Sequence, residues 1–174
     1  WITEMGWATH VPHHVLGQDF APNSQKAQAS LLARCYLCTI ASGVEPRTFW
    51  YNFRNDGDDP FYFEHNMGIV QIDGAPKPAY VAYATMTRVL GNQKFVRQRD
   101  DLGEVFAAQF AAINPQAPSV LALWSADKDV TVKVPTTART VTRINAIGES
   151  ATLEADNGQI ELVLKAGLPV YLLQ

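Results

Sequence analysis

Basic clusters, cysteine and long apolar runs are all scarce in this chain. Its 174 residues carry 14 Lys and Arg against 17 Asp and Glu, a net charge of -3 with no basic block. Nucleic-acid binding needs a concentrated positive face, so no nucleic-acid partner is expected. No apolar stretch reaches the ~20 residues of a membrane-spanning helix, and no membrane partner is expected. No basic-then-apolar leader opens the chain, which starts at Trp1. Localisation stays open, and an extracellular or periplasmic parent protein is compatible with it. There are two cysteines, Cys35 and Cys38. Three apart in a helical stretch, they do not suit a disulfide and read as two buried thiols. A zinc or redox site would need more ligands or a different placement. Also missing are a Gly-x-Ser-x-Gly elbow, a phosphate loop and a dinucleotide fingerprint, so no cofactor is expected.

The hydrophobic fraction is 47% and the charged fraction 18%, enough apolar material for a packed core. The first half alternates strand and helix. Ile2 to Met5 reads as a short strand that turns at Gly6. A His- and Pro-rich loop follows, His10 to Asn23. Ser24 is a good N-cap for a helix from Gln25 to Ser42, closed by Gly43. Thr48 to Phe53 is aromatic and β-prone. Arg54 to Pro60 is a loop. Gly68 to Ile72 reads as a short extended piece. Pro76 and Pro78 open a second helix that stops at Gly91.

From about Phe95 the periodicity shortens. Candidate strands are Phe95–Gln98, Val105–Phe110, Val120–Trp124, Val130–Val134, Thr140–Asn145, Ala151–Ala155, Gln159–Leu164 and Val170–Leu173. Asn157-Gly158 is a hairpin signal between two of them. Many short, closely spaced strands argue for an antiparallel sandwich or small barrel. The expected division is 1–92 for the α/β part and 93–174 for the all-β part.

Glu4 is a carboxylate at a strand end, where (β/α)8 enzymes keep their chemistry. Read by itself, it is equally a solvated tip. Trp50 is a core aromatic or a flat surface for a sugar ring. Trp7 lines a cleft or packs under the loop. His10, His13 and His14 follow the Glu4 strand and are solvated loop histidines, a metal set or a substrate contact, the first being the commonest use of such residues. Asp56, Asp58 and Asp59 offer oxygen ligands without the EF-hand spacing, which fits a solvated turn better. No metal is expected.

Taken in order, these segments resemble one family. Trp1-Ile2-Thr3-Glu4-Met5-Gly6-Trp7 resembles the seventh strand of retaining glycoside hydrolases built on (β/α)8 barrels with a glutamate pair. Phe49-Trp50-Tyr51-Asn52-Phe53 resembles their eighth strand. Asp59-Pro60, Glu64, Asn66 to Val70 and Pro76 to Tyr80 resemble the loop and last helix that close such barrels. The β-rich tail resembles the small sandwich beside the barrel in family 39 and some family 5-like members. The resemblance implies a fold class of α/β plus all-β. The chain would be a partial barrel, strands seven and eight with their helices, followed by a small antiparallel β-sandwich.

The resemblance also implies roles. Glu4 would be the nucleophile and Trp50 the sugar-stacking floor, with Trp7 and His10 as further substrate contacts. The general acid of this family sits in an Asn-Glu pair on the fourth strand. Here Asn66 follows His65 in a different element, so no acid can be assigned. The chain would then open inside an active site whose remaining wall precedes residue 1. Expected partners are a carbohydrate substrate and either the N-terminal barrel portion or further copies of the chain. The alternative is a non-catalytic module, a carbohydrate-binding or structural β-sandwich.

Overall fold

The computed structural model describes residues 1–12, 23–43 and 47–174. His13, His14 and part of the His- and Pro-rich loop lie outside them. Two helices and ten strands make up the regular structure among the described residues, and most of it is β. Strand β1 (Ile2–Met5) leads to helix α1 (Gln25–Ala41), strand β2 (Thr48–Trp50) and helix α2 (Pro78–Leu90). The β-rich part holds β3 (Gln93–Gln98), β4 (Phe106–Ala112), β5 (Val120–Trp124), β6 (Val130–Pro135) and β7 (Thr140–Asn145). It ends with β8 (Ser150–Glu154), β9 (Gln159–Leu164) and β10 (Val170–Leu173).

Local signals account for the helix ends. The Ser24 hydroxyl accepts from the Ala27 backbone N–H at 3.0 Å, so one orphan donor of α1 is satisfied. Gly43 follows the helix with φ +70°, the left-handed conformation glycine adopts without cost. Pro78 sits in the first turn of α2, where its missing N–H has no partner to lose.

The elements stack in layers. β1 and β2 form a parallel pair. β3-β4-β5-β10-β7-β8 form a six-stranded sheet, antiparallel throughout, and β6-β9 form a two-stranded one. Side chains alternate across a strand, and here the alternation serves two cores. Leu121 and Leu123 of β5 and Val170 and Leu172 of β10 meet Val132, Val134, Ile160, Leu162 and Leu164 of the small sheet. Val120, Ala122 and Trp124 of β5 and Tyr171 of β10 face Leu37, Met86 and Leu90 of the helices. On their far side the helices bury Ala29, Leu32, Ala79 and Ala82 against Ile69 and Val70. The Ser30 hydroxyl of α1 donates to the Gly167 carbonyl oxygen in the loop before β10, a buried bond between layers.

Four expectations need correction. The β2 ladder stops at Trp50 rather than Phe53. Gly68 to Ile72 forms isolated bridges at Val70, to Arg54 and Pro76, instead of a strand. Cys38 is exposed and Cys35 half-buried, so neither is a fully buried thiol. Asn157 and Gly158 do turn tightly, both with positive φ, and Asp156 and Gln159 exchange backbone hydrogen bonds of 2.9 and 3.0 Å. The ladder ends there, because β8 joins the large sheet and β9 the small one. Ile160, Leu162 and Leu164 are buried in the core between the sheets, and that burial draws β9 away from its sequence neighbour.

Leu37 is fully buried between α1 and the six-stranded sheet. Leu37→Ala is expected to destabilise the fold by about 2–5 kcal/mol, the range for a leucine-sized cavity. Chemical denaturation followed by circular dichroism measures this.

Candidate active site

The ends of β1 and β2 are held at one level by their pairing. Ile2 lies opposite Thr48 and Met5 opposite Trp50. The Tyr51 backbone N–H then donates to the Met5 carbonyl oxygen at 2.8 Å. Gly6 permits this approach: a Cβ there would lie 2.0 Å from the Tyr51 carbonyl oxygen. The Tyr51–Asn52 peptide bond is cis.

Glu4 is exposed. Its neighbour Met5 turns to α1, where the Cys35 thiol lies 2.9 Å from the Met5 sulfur. The register shifts between Ile2 and Met5, so three residues of β1 span two of β2. Trp50 and Tyr51 have different surroundings. Trp50 packs against the cluster of Leu32, Ile69 and Ala82. Its indole N–H is buried without a hydrogen-bond partner among the described residues. The Tyr51 hydroxyl instead donates to Asp56 Oδ2 at 2.9 Å. That hydrogen bond, then the charges of Asp56, Glu64 and Glu4, hold the phenol above its ordinary value. Tyr51, not singled out from the sequence, is therefore an aromatic within electrostatic reach of Glu4. Its surroundings depend on the pairing of β2 with β1, for which there is no local signal.

Trp7 and His10 follow β1. The Trp7 ring tilts against Trp50, with centroids 5.7 Å apart and planes at 39°. His10 is buried and meets Phe63 edge-on at 6.5 Å. It shares a recess of about 240 Å³ with Trp7, Asn23, Phe63 and Met67. The structure thus brings Trp7 to both Trp50 and His10, and Glu4 is exposed. In the acidic loop, Asp59 Oδ1 accepts from the Phe61 N–H at 2.9 Å and Glu64 Oε2 from the Tyr62 hydroxyl at 2.6 Å. No three His, Cys, Asp or Glu side chains converge as metal ligands would, among the described residues.

Beneath the strand ends runs a polar seam. Lys77, only 1% exposed, donates from Nζ to Thr9 Oγ1 at 3.0 Å, Asn55 Oδ1 at 2.8 Å and the Asn66 carbonyl oxygen at 3.2 Å. Gln28 of α1 is fully buried. Its Nε2 donates to the Trp7 carbonyl oxygen at 2.8 Å and to those of Met67 and Gly68, both at 3.3 Å.

No protein-family model matches the chain, and no curated protein does. Solved structures do match. A family 39 glycoside hydrolase from the gut symbiont Bacteroides cellulosilyticus is 32% identical, with a TM-score of 0.81. The match covers 99% of this chain and 33% of that one, so this chain spans about a third of that relative's length. A family 30 endoxylanase from Clostridium papyrosolvens shares the fold at 11% identity and a TM-score of 0.62, over 99% of this chain and 40% of that one. A family 30 xylanase from Clostridium acetobutylicum does so at 12% identity and 0.57, over 99% and 41%. The resemblance to the C-terminal part of these glycoside hydrolases, carried in the sequence by the segments around Glu4 and Trp50, is borne out by these matches.

Burial pulls the Lys77 ammonium from its ordinary 10.5 down to about 8. The folded chain thus releases this proton before the unfolded one, and stability gains between those two values as pH rises. Burial, first among its causes, raises the Cys35 thiol to about 11, which works in the opposite sense above pH 9. The Lys77 part is isolated by difference. Wild type minus Lys77→Met stability is expected to climb between about pH 8 and 10.5, by at most about 1.4 kcal/mol per pH unit. Urea titrations across that window check the slope.

Proposed function

We propose that this chain is the C-terminal portion of a retaining glycosidase, with Glu4 as its nucleophile. In this reading, residues 1–92 supply strands seven and eight of a (β/α)8 barrel with their helices. Residues 93–174 form the accessory β-sandwich. The observation that carries it is the 32% identity to a family 39 glycoside hydrolase over 99% of the chain, with Glu4 exposed near the end of a parallel strand.

A retaining glycosidase sets two carboxyl groups about 5–5.5 Å apart across the scissile bond. The ionised Glu4 attacks the anomeric carbon, and the glycosidic C–O bond breaks. The leaving oxygen takes a proton from the second carboxylic acid, and a glycosyl ester forms on Glu4. The second group, now a base, draws a proton from water. That water attacks the same carbon and restores the Glu4 carboxylate. The second carboxyl group comes from outside this chain, so the chain alone is inactive. Tyr51 presents an aromatic ring beside Glu4 for the apolar face of a sugar. Trp50, Trp7 and His10 shape the site from behind it.

The binding-module alternative needs a row of solvent-facing aromatics on the β-rich part. Of Phe95, Phe106, Phe110, Trp124 and Tyr171, only Phe106 is exposed, and its ring is stacked on the buried Trp124 at 5.3 Å. Nothing in that arrangement favours it over the glycosidase reading.

Two outcomes are expected. In the longer protein, dinitrophenyl fluoroglycosides of xylose or glucose should label Glu4, located by peptide mass spectrometry. Glu4→Gln should lower kcat by about three orders of magnitude or more. Labelling at another residue removes the assignment. Separately, Phe49 and Phe53 are 52% and 65% exposed, which leaves an apolar face to be covered. The chain alone is expected to self-associate or bind a hydrophobic dye in size-exclusion runs with light scattering. A clean monomer without dye binding contradicts the need for a covering partner.

A further inference from the structure

Lys77 is the one buried Lys, Arg, Asp or Glu among the described residues, and neither the core nor the proposed chemistry explains it. A buried ammonium costs several kcal/mol unless a counter-charge and hydrogen bonds compensate it. Here all three recorded acceptors are neutral: a hydroxyl, a side-chain amide and a backbone carbonyl. Burial is the sole cause of its lowered proton affinity. A methionine would fill the same volume without that cost, so stability alone does not call for lysine. The placement of the acceptors does. Thr9 follows β1 and neighbours His10, Asn55 follows β2, and Asn66 closes a short 3-10 turn. Lys77 extends from the cap of α2 and reaches all of them. Asn66 is itself joined to the first segment, because its carbonyl oxygen accepts from the Thr9 N–H at 3.1 Å. From α1, Gln28 bridges the same two segments at Trp7, Met67 and Gly68.

We propose that Lys77 is a positioning residue for the candidate site. Its ammonium clamps the segment carrying Trp7 and His10 to the one that runs on from Tyr51, and so sets the spacing of the walls beside Glu4. The catalytic consequence rests on the glycosidase reading; the clamp itself does not. Three hydrogen bonds that diverge from one fixed nitrogen specify a direction that a thioether cannot.

The test uses Lys77→Met and, should that variant fail to fold, Thr9→Val, which removes one acceptor and keeps the lysine. In this chain the readouts are hydrogen exchange at the Thr9 amide and the exciton couplet of the Trp7–Trp50 pair in circular dichroism. Exchange is expected to speed up about tenfold or more in either variant as the seam opens locally. The couplet weakens with it. In the longer protein, labelling of Glu4 by the same fluoroglycosides should slow by about 10- to 100-fold in Lys77→Met, well below its unfolding temperature. A lower melting temperature with unchanged exchange, couplet and labelling would make Lys77 merely structural and overturn the proposal. Loosened exchange and couplet, with Glu4 unlabelled even in wild type, would keep the clamp and remove the glycosidase reading.

Discussion

Helix α1 has no broad face left for water, and the positions of the other layers follow from that; α2 keeps one, with Tyr80, Val81, Ala84, Thr87 and Arg88 exposed. α1 gives Leu37 to the six-stranded sheet and Ala29 and Leu32 to the side of the parallel pair. α2 divides in the same way, with Met86 and Leu90 on one side and Ala79 and Ala82 on the other. A helix buried on both sides cannot carry a polar stripe, which is why Gln25 to Ala41 reads as Ala- and Leu-rich without strong amphipathic contrast. The alanines let the helices approach the sheets closely. The result is one rigid support that carries the strand ends on one side and the β-rich layers on the other.

Polarity is distributed across the parallel pair in two different ways. Below the strand ends, Lys77 and Gln28 are buried, and each is matched to carbonyl, amide or hydroxyl oxygens. Above them, the charges of Glu4, Asp56 and Glu64 act together on the phenol of Tyr51. The hydrogen bond to Asp56, then these charges, raise the phenol above its ordinary value, so Tyr51 is a hydrogen-bond donor to Asp56.

Much of the chain was legible because short-range signals and burial agreed. β5, β7, β9 and β10 begin and end where alternation and turn residues put them, and both helices lie within a residue or so of their capping signals. The misreadings all come from tertiary choices. Asn157-Gly158 makes its turn, but sheet membership is decided by the apolar face of β9, and a turn motif holds no information about that. Cys38 follows the helical period, yet its face of α1 opens toward a surface cleft with Arg99 and Phe106. The surroundings of Trp50 and Tyr51 were not legible, since they depend on pairing with β1. Pairing register is non-local. Lys77 carried no local signal, because its acceptors lie 68, 22 and 11 residues away.

Parallel strands need cover on both faces, because their side chains are apolar in both directions. The helices cover one face of the β1–β2 pair. Phe49 and Glu4 of that pair are exposed, and Tyr51 just beyond it is partly so. An exposed aromatic at a free strand is a liability for any isolated chain. A carboxylate that attacks a sugar carbon is likewise incomplete without a second carboxyl group facing it. In the proposed glycosidase reading, the part of the longer protein that covers Phe49 would also bring that second carboxyl group. One contact would then close the sheet and complete the chemistry.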